Sequence, residues 1–393
     1  MKKKVICLIT NWYPTPENPF QGSFFKEQAL SLSDYFDFIV VHYYFSYGII
    51  REKYCVTECG EEDNIKEYRI ELTVPTLIGE VKNKLLPGTF DREDFFKERF
   101  VSVFREGIVE TFDVLYCVSG QLEAGYVKMI ADAYQKPYVV SEHGPVPWLG
   151  TIISEVNKNA IEQANLLLAI SYDKLRQIMM QNIKIPPFIY VGNMVDESQF
   201  TYKPSNNKVK TFVFVGAHVF YKNYEMLINI MNKLKLLADV PFRLMIVGYN
   251  ANKGYSKDGE KLEKAIEESN FAEYVELVPS VAHNKMHEIY NRADAFIMTS
   301  IQEGMPVSAI EAGCCGLPIF STRCGGVEDY VDEHIGRIYN VCDVEAFTHG
   351  LCEYLEGSLC FDSVYIRESI VQRFGRKAFV RNMVEAFNSV IGE

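Results

Sequence analysis

Residues 298–326, MTSIQEGMPVSAIEAGCCGLPIFSTRCGG, decide the fold. The apolar run 293–298 breaks at Glu303-Gly304, and Pro306 then reads as the first residue of a helix carrying Ala309, Ile310 and Ala312. Proline suits a first helical turn because the N–H it lacks would have no partner there, and Gly304 lets backbone come close to a ligand. A helix start also presents unpaired N–H groups at the positive end of its dipole, which together suit a phosphate. A second strand, 317–321, follows and ends at Gly325-Gly326. Strand, turn, helix, strand is the repeating unit of a parallel sheet. Glu303 lies in the turn and Glu311 on the helix, with seven residues between them. They are expected to reach different parts of one ligand rather than to pair as acid and nucleophile.

The same rhythm extends in both directions. The second half opens with a strand at 211–215, then Gly216-Ala217-His218-Val219-Phe220-Tyr221-Lys222-Asn223 and a helix over 224–237. Strands at 242–248 and 274–278 follow, and helical stretches at 344–355 and 366–391 close the chain. In the first half, strands at 4–10, 38–44, 114–118, 138–141, 166–170 and 188–191 alternate with helices at 122–134, 152–163 and 172–180. Residues 49–110 are the irregular part: an acidic patch at 58–63, a strand at 65–74 and an aromatic helical stretch at 95–100. The polar run 201–210, with Pro204, Asn206 and Asn207, reads as a linker and hinge. The expected organisation is a domain at 1–200, the linker 201–210, a second domain at 211–375, and a last helix at 376–393 returning to the first domain.

Composition narrows the partners. Forty basic against 52 acidic residues give a net charge of −12, which argues against a nucleic-acid partner. The ten cysteines show no paired metal or redox spacing, and Cys7, Cys117, Cys314 and Cys315 fall in apolar patterns as reduced, buried small hydrophobes. No signal peptide or membrane-spanning run is read, so a cytoplasmic protein is expected. Lys82, Lys84, Lys97, Arg99 and Arg105 beside Leu85, Leu86 and Phe96 would allow weak peripheral membrane contact of the first domain. The interleaved Asp91, Glu93, Asp94 and Glu98 favour a solvated helix instead.

The order Ser-x-x-Glu-Gly-Met-Pro-x-x-x-x-Glu-Ala-x-x-x-Gly-x-Pro-x-x-x-Thr-x-x-Gly-Gly closely resembles the donor-site signature of retaining, nucleotide-sugar-dependent glycosyltransferases of the GT-B fold, the "group 1" or family 4 class. The likeness spans nearly the whole chain and is weakest over 49–110. It implies two doubly wound, Rossmann-like parallel-sheet domains facing a cleft, with donor bound mainly by the second and acceptor by the first. It implies transfer from a UDP- or GDP-sugar to a saccharide or lipid-linked acceptor with retention, in surface polysaccharide or glycoconjugate synthesis. No D-x-D cluster marks a metal site, and no cofactor is expected beyond the nucleotide sugar as co-substrate.

Site residues follow from the same resemblance. Glu311 would take the ribose hydroxyls, and Glu303 with the backbone of Gly304, Met305, Pro306 and Val307 would hold the sugar and phosphates. Pro306 contributes no N–H. Lys222 would carry diphosphate charge beside Gly216, Val281 backbone would meet the base, and Gly22 in the loop after the first strand would approach the diphosphate. His143, in Ser141-Glu142-His143-Gly144 at a strand's carboxyl end, would face the donor sugar. The chain departs from the family at Ala217, where an arginine is usual, so His218, backbone N–H groups or another cation must compensate. His283 and His287, four apart, read as surface-helix residues for want of a third metal ligand. A nucleotide-sugar 2-epimerase of the same fold and a degenerate donor-binding module stay open as alternatives.

Overall fold

The computed structural model describes residues 2–16, 18, 21–48, 54–75, 92–108, 111–144, 153–249 and 256–392. By contacts the chain divides into two units. The first comprises Met1–Ile170, Lys174–Val191 and Val380–Glu393, and the second Ser171–Asp173 and Gly192–Phe379.

The first unit is built on an eight-stranded sheet in the order β3-β4-β2-β1-β5-β6-β7-β8. Its strands are β1 (Lys4–Thr10), β2 (Phe36–Gly48), β3 (Tyr54–Glu62), β4 (Ile65–Pro75), β5 (Val114–Cys117), β6 (Tyr138–Ser141), β7 (Leu166–Ala169) and β8 (Phe188–Tyr190). Every pairing is parallel except β3 with β4. The central strands read as continuous apolar runs because helices cover both faces, and Ile6, Cys7, Leu8 and Ile9 of β1 are fully buried. Helix Arg376–Ile391 ends in this unit, with the Phe387 ring 5.4 Å from Phe36 and 5.7 Å from Tyr116.

The acidic patch at 58–63 belongs to β3, which the sequence reading left irregular. Asp63 and Asn64 both take positive φ (51° and 64°), the conformation of a tight two-residue hairpin turn, and fold β3 back on β4. As an exposed edge strand β3 buries almost nothing, so it lacks the apolar alternation by which a strand is recognised. Lys82, Lys84, Leu85, Leu86 and Asp91 lie outside the described residues. Among the described residues no helix is long and apolar enough to cross a membrane.

The second unit holds a six-stranded parallel sheet in the order β11-β10-β9-β12-β13-β14. Its strands are β9 (Lys210–Val215), β10 (Phe242–Val247), β11 (Val275–Val278), β12 (Ala295–Met298), β13 (Ile319–Thr322) and β14 (Gly336–Tyr339). Counted from its own first strand the order is 3-2-1-4-5-6, that of dinucleotide-binding folds, and it reverses between β9 and β12. Ligands of such sheets bind outside the strands' carboxyl ends at that reversal.

Three boundaries differ from the expected ones. The chain enters the second unit at Gly192, and the expected linker 201–210 lies within that unit. Side chains tie this polar run down: Asn207 Nδ2 donates to Arg292 O and Asp294 Oδ2, both at 2.9 Å, and Lys203 N donates to Asn291 Oδ1 at 3.0 Å. The stretch 366–391 is two helices, Ser363–Phe374 and Arg376–Ile391, parted by Gly375, whose ψ of 158° is extended. Pro306 caps its helix rather than opening it; with ψ 109° it precedes the first helical residue, Val307.

At the sheet's far edge, a Cβ on Gly336 would overlap Ile319 O in the β13–β14 pairing. Gly336→Ala should therefore destabilise the protein by about 1–3 kcal/mol through local overpacking, read as a lower urea midpoint.

Candidate active site

The reversal in the second sheet brings together residues far apart in sequence. Gly216 follows β9, and Thr299 and Ser300 follow β12. Thr299 Oγ1 donates to Lys222 O (3.0 Å) and Asn223 O (3.1 Å), and Ile301 N donates to Tyr221 O at 2.7 Å, so the turn 220–223 is laced to the end of β12. Asn223, at φ 52°, caps helix Tyr224–Leu237 by accepting from Met226 N. This fold aims Lys222 at Glu303: Nζ to Oε1 is 2.8 Å, and both side chains are largely buried. Ser300 Oγ donates to the same Oε1 at 2.7 Å. Burial pushes the Lys222 pKa down, but the Glu303 charge and hydrogen bond outweigh it and leave a net rise, so the ammonium is secure. A Cβ on Gly216 would lie 3.1 Å from Lys222 Cε, so glycine there leaves the lysine its path.

Behind Glu303 the backbone is pinned on its carbonyl side. Glu303 N donates to Cys324 O (2.6 Å), Gly304 O accepts from Ser171 Oγ (2.8 Å), and Met305 O accepts from Asn193 Nδ2 (2.8 Å). Gly325 and Gly326 have φ of 94° and 73°, and side chains on them would strike Glu303 O and Gly304 O. Pro306 O then accepts from Ala309 N and Ile310 N to start helix Val307–Cys314. The N–H groups of Gly304, Met305, Val307 and Ser308 have no acceptor among the described residues, and the helix dipole adds to them. One cation and four open N–H groups suit an anion.

Glu311 is 5% exposed and has partners other than those of Glu303. Its Oε1 lies 2.6 Å from His283 Nε2, and its Oε2 accepts from Tyr290 OH at 2.8 Å. Burial first, and then the Glu311 charge, raise the Tyr290 pKa well above the usual phenol range, so the hydroxyl stays a donor. His283 thereby ties the loop carrying Val281 to Glu311. The sequence reading set His283 aside as a surface residue, because its partner is 28 positions away and its spacing to His287 pointed elsewhere. His218, beside Ala217, stacks its ring 4.7 Å from Tyr224, whose hydroxyl donates to Gly216 O at 2.6 Å. No three His, Cys, Asp or Glu side chains among the described residues are grouped as metal ligands.

In the first unit the sheet reverses between β1 and β5, and a buried carboxylate spans the reversal. Glu123 Oε1 accepts from Asn11 N (2.7 Å) and Oε2 from Ser119 N (3.2 Å). Burial outweighs these bonds and pushes its pKa up to about 8. Glu142, also buried, accepts from Gln121 N and Gly144 N, both at 2.7 Å. Burial raises its pKa against the lowering effect of Lys174, whose Nζ donates to Gly144 O at 2.5 Å. His143 sits between these holds with its ring centroid 4.9 Å from Phe25 and 5.8 Å from Phe24, and its Nδ1 is buried without a partner among the described residues. Burial, then the Lys174 charge, lower its pKa to about 3, so the imidazole is neutral. Gly22, at φ 63°, packs on Trp12 O, and that turn accounts for its glycine. Sequence reasoning found His143 but not Glu123, Glu142 or Lys174, whose partners come from other strands.

Comparison with known proteins agrees with this architecture. Residues 195–369 match the family model described as glycosyl transferases group 1. The phosphatidylinositol N-acetylglucosaminyltransferase gpi3 subunit of Schizosaccharomyces pombe is 24% identical over 196 residues, 48% of this chain and 41% of that protein. The O-antigen biosynthesis glycosyltransferase WbnH of Escherichia coli is 25% identical over 221 residues, 56% of this chain and 57% of that one. The chain thus spans about two fifths of the first curated relatives it matches, 38% to 41%. Among solved structures, sucrose-phosphate synthase from Thermosynechococcus elongatus superposes with a TM-score of 0.76 at 14% identity, covering 99% of this chain and 100% of that one. HepE of Anabaena in complex with UDP-glucose gives 0.68 at 14% identity, covering 98% and 99%. These likenesses establish the GT-B fold.

Two outcomes follow from the buried carboxylates. Between pH 4.5 and about 8 the folded protein keeps a proton on Glu123 that the unfolded chain releases, so raising the pH through this window removes stability. The melting temperature should fall from pH 5 to pH 9, and less steeply in Glu123→Gln; parallel curves for the two proteins would show that Glu123 carries no such proton. Glu311→Ala should cost about 1–3 kcal/mol of stability by stranding Tyr290 OH. Glu311→Gln, which keeps one acceptor, should cost less, and urea titration of both variants distinguishes them.

Proposed function

We propose that this protein is a retaining glycosyltransferase that moves a sugar from a nucleotide sugar, UDP- before GDP-linked, to a saccharide or lipid-linked acceptor in surface polysaccharide or glycoconjugate synthesis. One observation carries the reading: at the reversal of the second sheet the Lys222–Glu303 pair adjoins the open N–H groups at 304–308, a constellation matched to a diphosphate and the sugar it bears. The match to group 1 glycosyltransferases supports it, and solved neighbours are described in complex with UDP and UDP-glucose.

On this reading the second unit holds the donor. Lys222 and the N–H groups meet the diphosphate, whose charge grows as the glycosidic bond breaks, so they stabilise the transition state more than the bound donor. Glu303, with Oε1 occupied by Lys222 and Ser300, offers Oε2 to a sugar hydroxyl. Glu311 keeps a second lone pair on each oxygen for ribose hydroxyls. The acceptor binds the first unit, where neutral His143 hydrogen-bonds without adding charge. With cationic and amide donors in place, the reaction is proposed to run without a metal or other cofactor, in the cytoplasm.

Incubating the protein with UDP-, GDP- and ADP-sugars, with and without saccharide acceptors, tests the assignment. Donor consumption that requires acceptor, yielding a product with the donor's anomeric configuration by NMR and unaffected by EDTA, is expected. Consumption without acceptor would mean an epimerase, and binding without turnover a donor-binding module. Lys222→Ala should lower kcat by about 10²–10³ while weakening donor binding less, because the lost cation acts on charge that develops during reaction. Near-normal turnover in that variant would leave the anion to backbone alone.

A further inference from the structure

Asn193 stands where the chain has just entered the second unit, and its surroundings fix it. Gly192 before it takes φ 68°, and Val195 after it bridges to Gly375, with Val195 N donating to Phe374 O at 2.8 Å. The side chain is 4% exposed. Its Nδ2 donates to Met305 O at 2.8 Å, whereas its Oδ1 is buried without a partner among the described residues. A buried acceptor without a donor is unfavourable, so folding alone gains little from an asparagine here.

The bond has a geometric consequence at the anion site. Across a trans peptide the C=O and the following N–H point to opposite sides. Ser171 Oγ on Gly304 O therefore turns Met305 N–H to the side away from Ser171, and the packing of Glu303 O on Gly325 turns Gly304 N–H away from Gly325. The next peptide ends in Pro306, which has no N–H, so what the Asn193 bond to Met305 O fixes there is the plane of the peptide from which Pro306 launches the helix. The direction of Val307 and Ser308 N–H depends on that plane. We propose that Asn193 is a positioning residue for diphosphate recognition: it touches no phosphate itself and aims the helix-start amides that do. This rests on the donor-site reading above and adds to it a residue outside the segment matched by the family model, which begins at 195.

The test separates aim from stability. Asn193→Ala removes one hydrogen bond and the stranded Oδ1 together, so its melting temperature should stay within about 2 °C of wild type, on the order of the shift of ~1 kcal/mol at this size. Asn193→Asp keeps the shape but sets a carboxylate oxygen against Met305 O. Calorimetric titrations would use UDP, GDP and ADP, uridine, guanosine and adenosine, and inorganic pyrophosphate. Both variants should bind the preferred nucleoside diphosphate and pyrophosphate about 10-fold or more weakly, and the matching nucleoside within twofold of wild type. Equal loss for nucleoside and diphosphate, or unchanged diphosphate affinity, overturns the positioning role while the donor site stands. Wild-type protein that binds neither nucleoside diphosphate nor pyrophosphate overturns both.

Discussion

The ion pair between Lys222 and Glu303 is the contact on which the second unit's site depends. Two charges largely withdrawn from water gain from each other only when geometry and further hydrogen bonds are good, and a lone one would be strongly unfavourable. Here Ser300 supplies the further bond, and β9 and β12 supply the geometry by ending side by side at the sheet's reversal. Glycine at 216 gives the lysine stem its path, and Thr299 laces the 220–223 turn to β12. The pair also explains how the site holds a fixed cation before any anion arrives. Glu303 compensates Lys222 in the absence of an anion, so the cation is held without one.

Much of this was legible in the sequence, because the features that drive the fold are local. Buried parallel strands such as β1 and β9 must be apolar along their length, so they stand out. The turn at 303–306 is visible because Gly304 and Pro306 mark it in the sequence. Edge strand β3 was hidden for the opposite reason: exposed on most of its length, it carries charge where a strand is recognised by apolar alternation. The run 201–210 has the composition of a linker, yet Asn207 bonds to Arg292 and Asp294, and composition does not reveal such partners.

The site divided along the same line. Residues marked by a turn or a short motif, Gly304, Pro306, Lys222 and His143, could be named as candidates from the sequence. Those whose role depends on a partner across the fold could not. His283 meets Glu311 from 28 positions away, Asn193 meets Met305 from 112, and Glu123 meets Asn11 from 112. Each holds something else in place, and no local pattern marks that function.

The two sheets treat their strand ends in opposite ways, and the difference bears on what each can bind. In the first unit, Glu123 and Glu142 take up the N–H groups of Asn11, Ser119, Gln121 and Gly144, so the donors that would attract an anion are already satisfied by carboxylates. Burial keeps Glu123 largely protonated near neutral pH and His143 uncharged, so the ring beside these holds presents little charge. In the second unit the carbonyls are the groups held internally, by Ser171 and Asn193, and the N–H groups stay open beside a lysine. An anion would therefore gain more at the second sheet's strand ends than at the first's. Which half of the peptide group each unit consumes for its own structure thus decides which strand ends favour negative charge.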